Sequence, residues 1–221
     1  MSSYKVLEIK KNVFEDNDHQ ADLLRKDLQK NNTFLLNLMS SPGSGKTNTI
    51  VKTIEALKNE LNIGVLEADI DSDVDAYTVS KTDTKVIQLN TGGMCHLNAD
   101  ITKQGLSEMG TDDIDFVILE NVGNLVCPAE FDTGASKNAM ILSVPEGDDK
   151  PLKYPTMFAN VDILLINKID TIELFDFDLN AVHEQVKKIN PDIKILPISA
   201  KTGEGLNEWF DWIRSEVNDW L

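Results

Sequence analysis

The chain has 221 residues, 41% of them hydrophobic and 26% charged, which suits one sizeable α/β domain and leaves too little for two separate cores. A formal net charge of −16 argues against a nucleic-acid partner, because gripping a phosphate backbone draws on clustered Lys and Arg. The longest apolar runs fall far short of a membrane span, no apolar signal segment is visible near Met1, and Cys95 and Cys127 alone do not make a disulfide framework. A cytoplasmic location without membrane partners is expected.

Residues 1–30 read as an N-terminal extension, in which Ala21, Leu24 and Leu28 mark an amphipathic helix. The apolar run "TFLLNLM" (33–39) then opens the main domain, 31–221. It is followed by "SSPGSGKT", which matches the phosphate-loop pattern G-x-x-x-x-G-K-[ST] except for Ser40 in place of the first glycine. Such a loop surrounds an anion with backbone N–H groups at a helix N-terminus. Gly43, Ser44 and Gly45 would form the cradle, Lys46 would reach the outer phosphates and Thr47 would ligate Mg²⁺. The helix that must follow is present, with Ile50, Ile54, Leu57 and Leu61 on one face of "TNTIVKTIEALKNEL".

The next run, "IGVLEA" (63–68), leads into Asp69, Asp71, Asp73 and Asp75. Asp71 and Asp73 read as a solvated helix start favoured by the helix dipole. Asp69 and Asp75 read as switch carboxylates, one helping the metal and one orienting the attacking water. The run "KVIQL" (85–89) precedes "NTGGMCHLNAD", and "DFVILE" (115–120) precedes "NVGNLVCPAEFDTG". Glu120 ends that strand where phosphate-loop enzymes keep an acidic group near Mg²⁺. Because both segments follow strands, Cys95, His96 and Cys127 are expected at one sheet edge, close enough to share a metal. Two thiolates and an imidazole suit zinc, nickel or copper; the plainer reading is a pair of small buried cysteines.

After "AMILSV" (139–144), the segment "PEGDDKPLKYP" reads either as a solvated loop or as a place where Lys153 or Asp148 meets nucleotide or a partner subunit. "DILLIN" (162–167) ends in "NKID", giving Asn167, Lys168 and Asp170. An Asp there accepts from N1–H and the exocyclic amine of guanine, which adenine cannot match. "IKILPI" (193–198) leads to Ser199, Ala200 and Lys201, whose backbone would meet the base O6. Three signals in order point to GTP, hydrolysed by positioning and charge stabilisation. The last helix, with Leu206, Phe210, Ile213 and Val217 on one face, closes the core. Strand and helix alternate throughout, so the expected fold is α/β: a phosphate-loop NTPase with a mostly parallel seven-stranded sheet flanked by helices.

"SSPGSGKT", "LNTGGMCHL", "ENVGNLVCPAEFD", "EGDDKPLKYPTMF" and "NKID" together resemble the HypB family of GTPases, over nearly the whole chain from about residue 20. The resemblance implies a metallochaperone supporting nickel insertion into [NiFe]-hydrogenase. Cys95, His96 and Cys127 would then hold nickel or zinc at a nucleotide-linked homodimer interface, with GTP/GDP and Mg²⁺ at the phosphate loop. Partners would be a nickel-delivery accessory protein and the hydrogenase large subunit. Some members of the family carry an N-terminal Cys-rich nickel motif or a His-rich stretch, neither of which is seen in this sequence, where His19 is the one histidine ahead of the phosphate loop; Asp100 stands where some relatives have His. Two alternatives are a urease-type nickel accessory GTPase and a phosphate-loop kinase acting on a small molecule. A third is a GTP-dependent interaction switch with inert cysteines.

Overall fold

A computed structural model describes the backbone of residues 9–69 and 74–221, and the side chains of 14–68 and 74–221. Asp71, Asp73 and the side chain of Asp69 therefore lie outside the described residues. Seven strands form a single sheet: β1 (Phe34–Ser40), β2 (Ile63–Asp69), β3 (Lys85–Asn90), β4 (Phe116–Glu120), β5 (Lys137–Ser143), β6 (Ile163–Asn167) and β7 (Lys194–Pro197). Their order is β3-β2-β4-β1-β5-β6-β7. Every pairing is parallel, so the sheet is wholly rather than mostly parallel.

The helices are α1 (Ile9–Lys30), α2 (Lys46–Leu57), α3 (Val74–Ser80), α4 (Ala99–Met109), α5 (Lys150–Lys153), α6 (Pro155–Ala159), α7 (Leu179–Ile189) and α8 (Leu206–Trp220). One sheet face packs against α2 and α8: Leu36, Leu38, Ile118 and Ile141 meet Ile50, Ile54, Ile213 and Val217. Trp209 is buried in this layer, its indole N–H donating to Thr53 Oγ1 at 2.9 Å. Truncating a buried Trp of this kind to Ala costs about 3–5 kcal/mol. The other face is covered in two parts. Leu24, Leu28, Leu106 and Met109 of α1 and α4 lie over β2 and β4, while Met157, Phe158, Val182 and Val186 of α6 and α7 lie over β5 and β6.

Burial on both faces is why the strands read as unbroken apolar runs. Local chemistry starts the helices: Asn98 Oδ1 accepts from Ile101 N, and Asp178 Oδ1 accepts from Asn180 N and Ala181 N. The chain runs outward from β1 to β2 and β3, returns through β4, and then goes the other way to β5. The carboxyl end of β1 is thus the switch point of the sheet, where ligands bind in open α/β folds. Among the described residues no helix is long and apolar enough to cross a membrane.

Candidate nucleotide and metal centre

The phosphate loop leaves β1 at this switch point. Gly43 (φ +75°) and Gly45 (φ +100°) adopt the left-handed region that glycine tolerates. Gly45 has a second reason to be glycine, since a Cβ there would sit 2.5 Å from Asn167 Nδ2. Ser40 is not in that region and is fully buried. Its hydroxyl accepts from Ser44 Oγ at 2.6 Å and Lys46 Nζ at 2.9 Å, and donates to Ser41 O at 2.7 Å. A glycine is therefore not needed here, and the serine supplies a hydrogen-bonding anchor inside the loop. A cavity of about 550 Å³ opens beside it, lined by Gly43, Lys46, Thr47, Asp75, Val122 and Gly123 among others.

On the far side of the loop, Asn167 joins three segments. Its Nδ2 donates to Ser44 O at 2.9 Å, while its Oδ1 accepts from Lys168 N at 2.8 Å and Ala200 N at 3.0 Å. Lys168 takes a left-handed backbone (φ +64°) and its Nζ donates to Gly43 O at 2.7 Å. Asp170 Oδ1 accepts from Ser199 Oγ at 2.7 Å, and Oδ2 lies 3.8 Å from Lys201 Nζ. The carboxyl of Asp170 is only 13% exposed, so it is held rather than free to swing. These residues do not line the 550 Å³ cavity, which would be the phosphate end; Asn167 links them to the phosphate loop.

At the phosphate end, Glu67, Asp75 and Glu120 bring carboxylate oxygens within 4.8 Å of one another. Glu67 and Glu120 are register partners on adjacent strands and both are buried. Lys46 Nζ lies 4.0 Å from Glu120. Like charges gathered in a buried place are costly unless a cation offsets them, and oxygen donors suit a hard divalent ion, so the set fits Mg²⁺. Thr47, in the first turn of α2, lines the same cavity. Sequence reasoning missed Glu67. Its signal was a charged residue inside the otherwise apolar "IGVLEA", two positions before the Asp69 that drew notice.

The second cluster gathers Cys95, His96 and Cys127, again within 4.8 Å of one another. Both thiols are free, and Cys95 Sγ lies 2.9 Å from Cys127 Sγ and 3.9 Å from His96 Nδ1. The two loops leave β3 and β4, which flank β2, so they converge across the carboxyl end of β2. Asn124 Nδ2 donates to Cys95 O at 3.2 Å, tying one loop to the other. The hydrogen bond to Cys127, together with burial, pushes the Cys95 thiol up. Burial pulls His96 down against the opposing pull of Glu130, which favours the neutral imidazole that binds metals. Two sulfurs and one nitrogen, the donors gathered here among the described residues, fit a soft or borderline ion such as nickel or zinc.

Comparison with known proteins bears on the whole arrangement. Residues 34–197 match the family model described as CobW/HypB/UreG, nucleotide-binding domain. The hydrogenase maturation factor HypB of Azotobacter chroococcum is 42% identical over 216 residues, spanning 98% of this chain and 71% of that protein. The chain belongs to the HypB family. The HypB crystal structure from Archaeoglobus fulgidus superimposes with a TM-score of 0.86 at 36% identity, covering 92% of this chain and 99% of that one. A HypB from Helicobacter pylori, solved in complex with nickel, gives 0.86 at 38% identity over 92% and 96% of the two chains.

Within this chain the expected residues fall into three groups. Gly43, Ser44, Gly45, Lys46, Thr47, Asn167, Lys168, Asp170, Ser199, Ala200 and Lys201 form one connected loop system. Asp75 and Glu120 come together with the unanticipated Glu67, and Cys95, His96 and Cys127 form the other cluster. Asp100 stands exposed in the first turn of α4 and is not among the clustered donors, so it reads as a helix residue. Asp148 Oδ2 accepts from Asp178 N at 3.0 Å, and exposed Lys153 pairs with Asp149.

Proposed function

We propose that this HypB-family chain is a GTP-hydrolysing metallochaperone that carries nickel toward [NiFe]-hydrogenase, its Cys95–His96–Cys127 site responding to nucleotide state. One observation carries the reading: the loop that bears Cys127 rests on the phosphate loop, a Cβ on Gly123 falling 3.1 Å from Pro42 N. Cys127 is four residues further along the same loop. A change in the phosphate loop on hydrolysis therefore has a short mechanical path to a metal ligand.

Guanine is the base that Asp170 selects, with Ser199 fixing the carboxyl and Ala200 anchored to Asn167 beside it. Lys46 exchanges its bond with Ser40 for the outer phosphates. Gly43, Ser44, Gly45 and Thr47 present backbone N–H groups to them. Thr47, Asp75, Glu120 and Glu67 are the residues that would hold Mg²⁺, which neutralises charge on the transferred phosphoryl. Asp75, at the edge of the cavity, and Asp69, at the end of β2, are candidates to orient the attacking water. Turnover without an activator is expected to be slow, because among the described residues no arginine lines the cavity.

The three-donor metal site leaves a position for a second protein, as transient transfer requires, whereas structural zinc sites close with four protein ligands. A homodimer, a nickel-supplying accessory protein and the hydrogenase large subunit are the proposed partners, in the cytoplasm. The test is equilibrium dialysis of nickel and zinc with GDP or a non-hydrolysable GTP analogue, on the wild type and Cys95→Ala, beside phosphate release from GTP and ATP. About one metal per chain, lost in Cys95→Ala and altered by nucleotide, together with hydrolysis of GTP alone, is the expected result. Metal binding indifferent to Cys95 or to nucleotide sinks the coupling, and equal use of ATP sinks the base assignment.

A further inference from the structure

We propose that helix α1 is a working part of the metal site, holding His96 and Cys127 in register through Asn17 and Phe131. The inference rests on the metal reading above and adds the element that shapes the site. Asn17 is buried, and its carboxamide reaches two segments that are remote in sequence. Its Oδ1 accepts from Ala99 N at 3.1 Å and its Nδ2 donates to Asp132 O at 2.9 Å. Ala99 stands three residues after His96 and Asp132 five after Cys127, so one side chain fastens both ligand loops to each other.

An aromatic ladder reinforces this fastening. Phe14 of α1 packs on Phe131 with centroids 4.8 Å apart, and Phe131 stacks on the His96 ring at 3.9 Å with planes inclined by 17°. A metal-bound histidine usually has its ring oriented by a hydrogen bond from the second nitrogen. Among the described residues no hydrogen bond reaches His96 Nε2, and the Phe131 face sets the ring plane instead. In this orientation Nδ1 lies 3.9 Å from Cys95 Sγ.

Two further contacts pin the Phe131 segment to the helix. Arg25 binds Asp132 through both carboxylate oxygens at 2.9 and 2.8 Å and donates from Nε to Ala135 O at 3.0 Å. Gly134 (φ +78°) approaches so closely that a Cβ there would lie 3.1 Å from Leu24 Cβ. Covering the sheet explains the buried Ala21, Leu24 and Leu28, but an apolar face alone does not call for a carboxamide joining two ligand loops or a phenyl ring on the imidazole. Asn17 and Phe131 are accordingly positioning residues that act through His96 and Cys127.

The test measures nickel affinity by competition with a chromophoric chelator for the wild-type full chain, Phe131→Leu, Asn17→Ala and the conservative Phe131→Tyr. GDP affinity and the nickel–thiolate absorption band are recorded on the same samples. Losing an outer partner of a metal ligand costs roughly 10–100-fold in affinity. Phe131→Leu and Asn17→Ala should each weaken nickel about tenfold or more, shift the band and leave GDP affinity within about twofold, while Phe131→Tyr stays near wild type. Unchanged nickel affinity and band in both variants would overturn the proposal and leave α1 as a cover. If Asn17→Ala loses GDP binding through unfolding, Phe14→Leu at the outer end of the stack carries the same test. A wild type that binds no nickel would instead defeat the metal reading itself, an outcome separate from these.

Discussion

Gly123 lies against Pro42 so tightly that a Cβ at Gly123 would stand 3.1 Å from the proline nitrogen and 3.0 Å from its ring. The φ of Gly123 is not positive, so the glycine is there for space rather than for backbone freedom. Gly123→Ala must push the phosphate loop and the Cys127 loop apart by a few tenths of an ångström. Overpacking of this kind costs about 1–3 kcal/mol. Guanine-nucleotide affinity should fall by about tenfold, and the difference in nickel affinity between GDP and GTP-analogue states should shrink. Isothermal titration with each nucleotide reads both effects; wild-type values for both would show that the contact transmits nothing.

Asp170 offers a test of base selection. Ser199 already occupies Oδ1, so Asp170→Asn places its amide nitrogen where Oδ2 now stands, turning an acceptor into a donor. Guanine then meets donor against donor, while xanthine presents a carbonyl at the same place. Two charge-assisted hydrogen bonds are worth about 3 kcal/mol together, or roughly a hundredfold in affinity. GTP binding should drop by about that factor and XTP should become the better ligand. Retained preference for GTP over XTP would mean that Asp170 does not read the base.

How legible was this in the sequence? The seven apolar runs became the seven strands, with ends moved by one or two residues, because strands buried on both faces carry their burial in composition alone. Asn, Lys and Asp crowd many turns, so the NKID and SAK segments carried weight in the sequence only together with the phosphate loop, in order and each after an apolar run. Glu67 was not, since one acidic residue inside a strand looks like a strand end until the register sets it beside Glu120. Asn17 left no trace at all. Its partners lie 82 and 115 residues away, and no local period encodes a contact of that range. Ser40 was visible only as a departure from a pattern, and its three hydrogen bonds are a property of the folded loop.

Glu67 now makes a prediction of its own. With Asp75 and Glu120 it forms a set of carboxylates that a divalent cation would hold together. Glu67→Gln removes one charge without changing shape. The Mg²⁺ concentration for half-maximal GTP hydrolysis should rise several-fold, whereas GDP affinity in EDTA should stay level or improve because repulsion near the phosphates has eased. An unchanged Mg²⁺ requirement would remove Glu67 from the cation site.

Ser40 and Lys46 give the sharpest expectation about the phosphate loop. The ammonium donates to the Ser40 hydroxyl at 2.9 Å and sits 4.0 Å from Glu120, and only 10% of its side chain is exposed. We expect nucleotide to draw Lys46 from that hydroxyl to the phosphates. On that expectation Ser40→Ala removes a charge-assisted bond that the phosphates would replace. The lost bond to Ser44 Oγ is expected to weigh on both states alike. A charged hydrogen bond contributes about 1.5–3 kcal/mol, so the free protein should unfold at lower temperature while GDP and GTP-analogue affinity rises by up to about tenfold. Differential scanning calorimetry with and without nucleotide measures both sides of this linkage. Weaker nucleotide binding in Ser40→Ala would show instead that the hydroxyl still positions Lys46 when the phosphates are present.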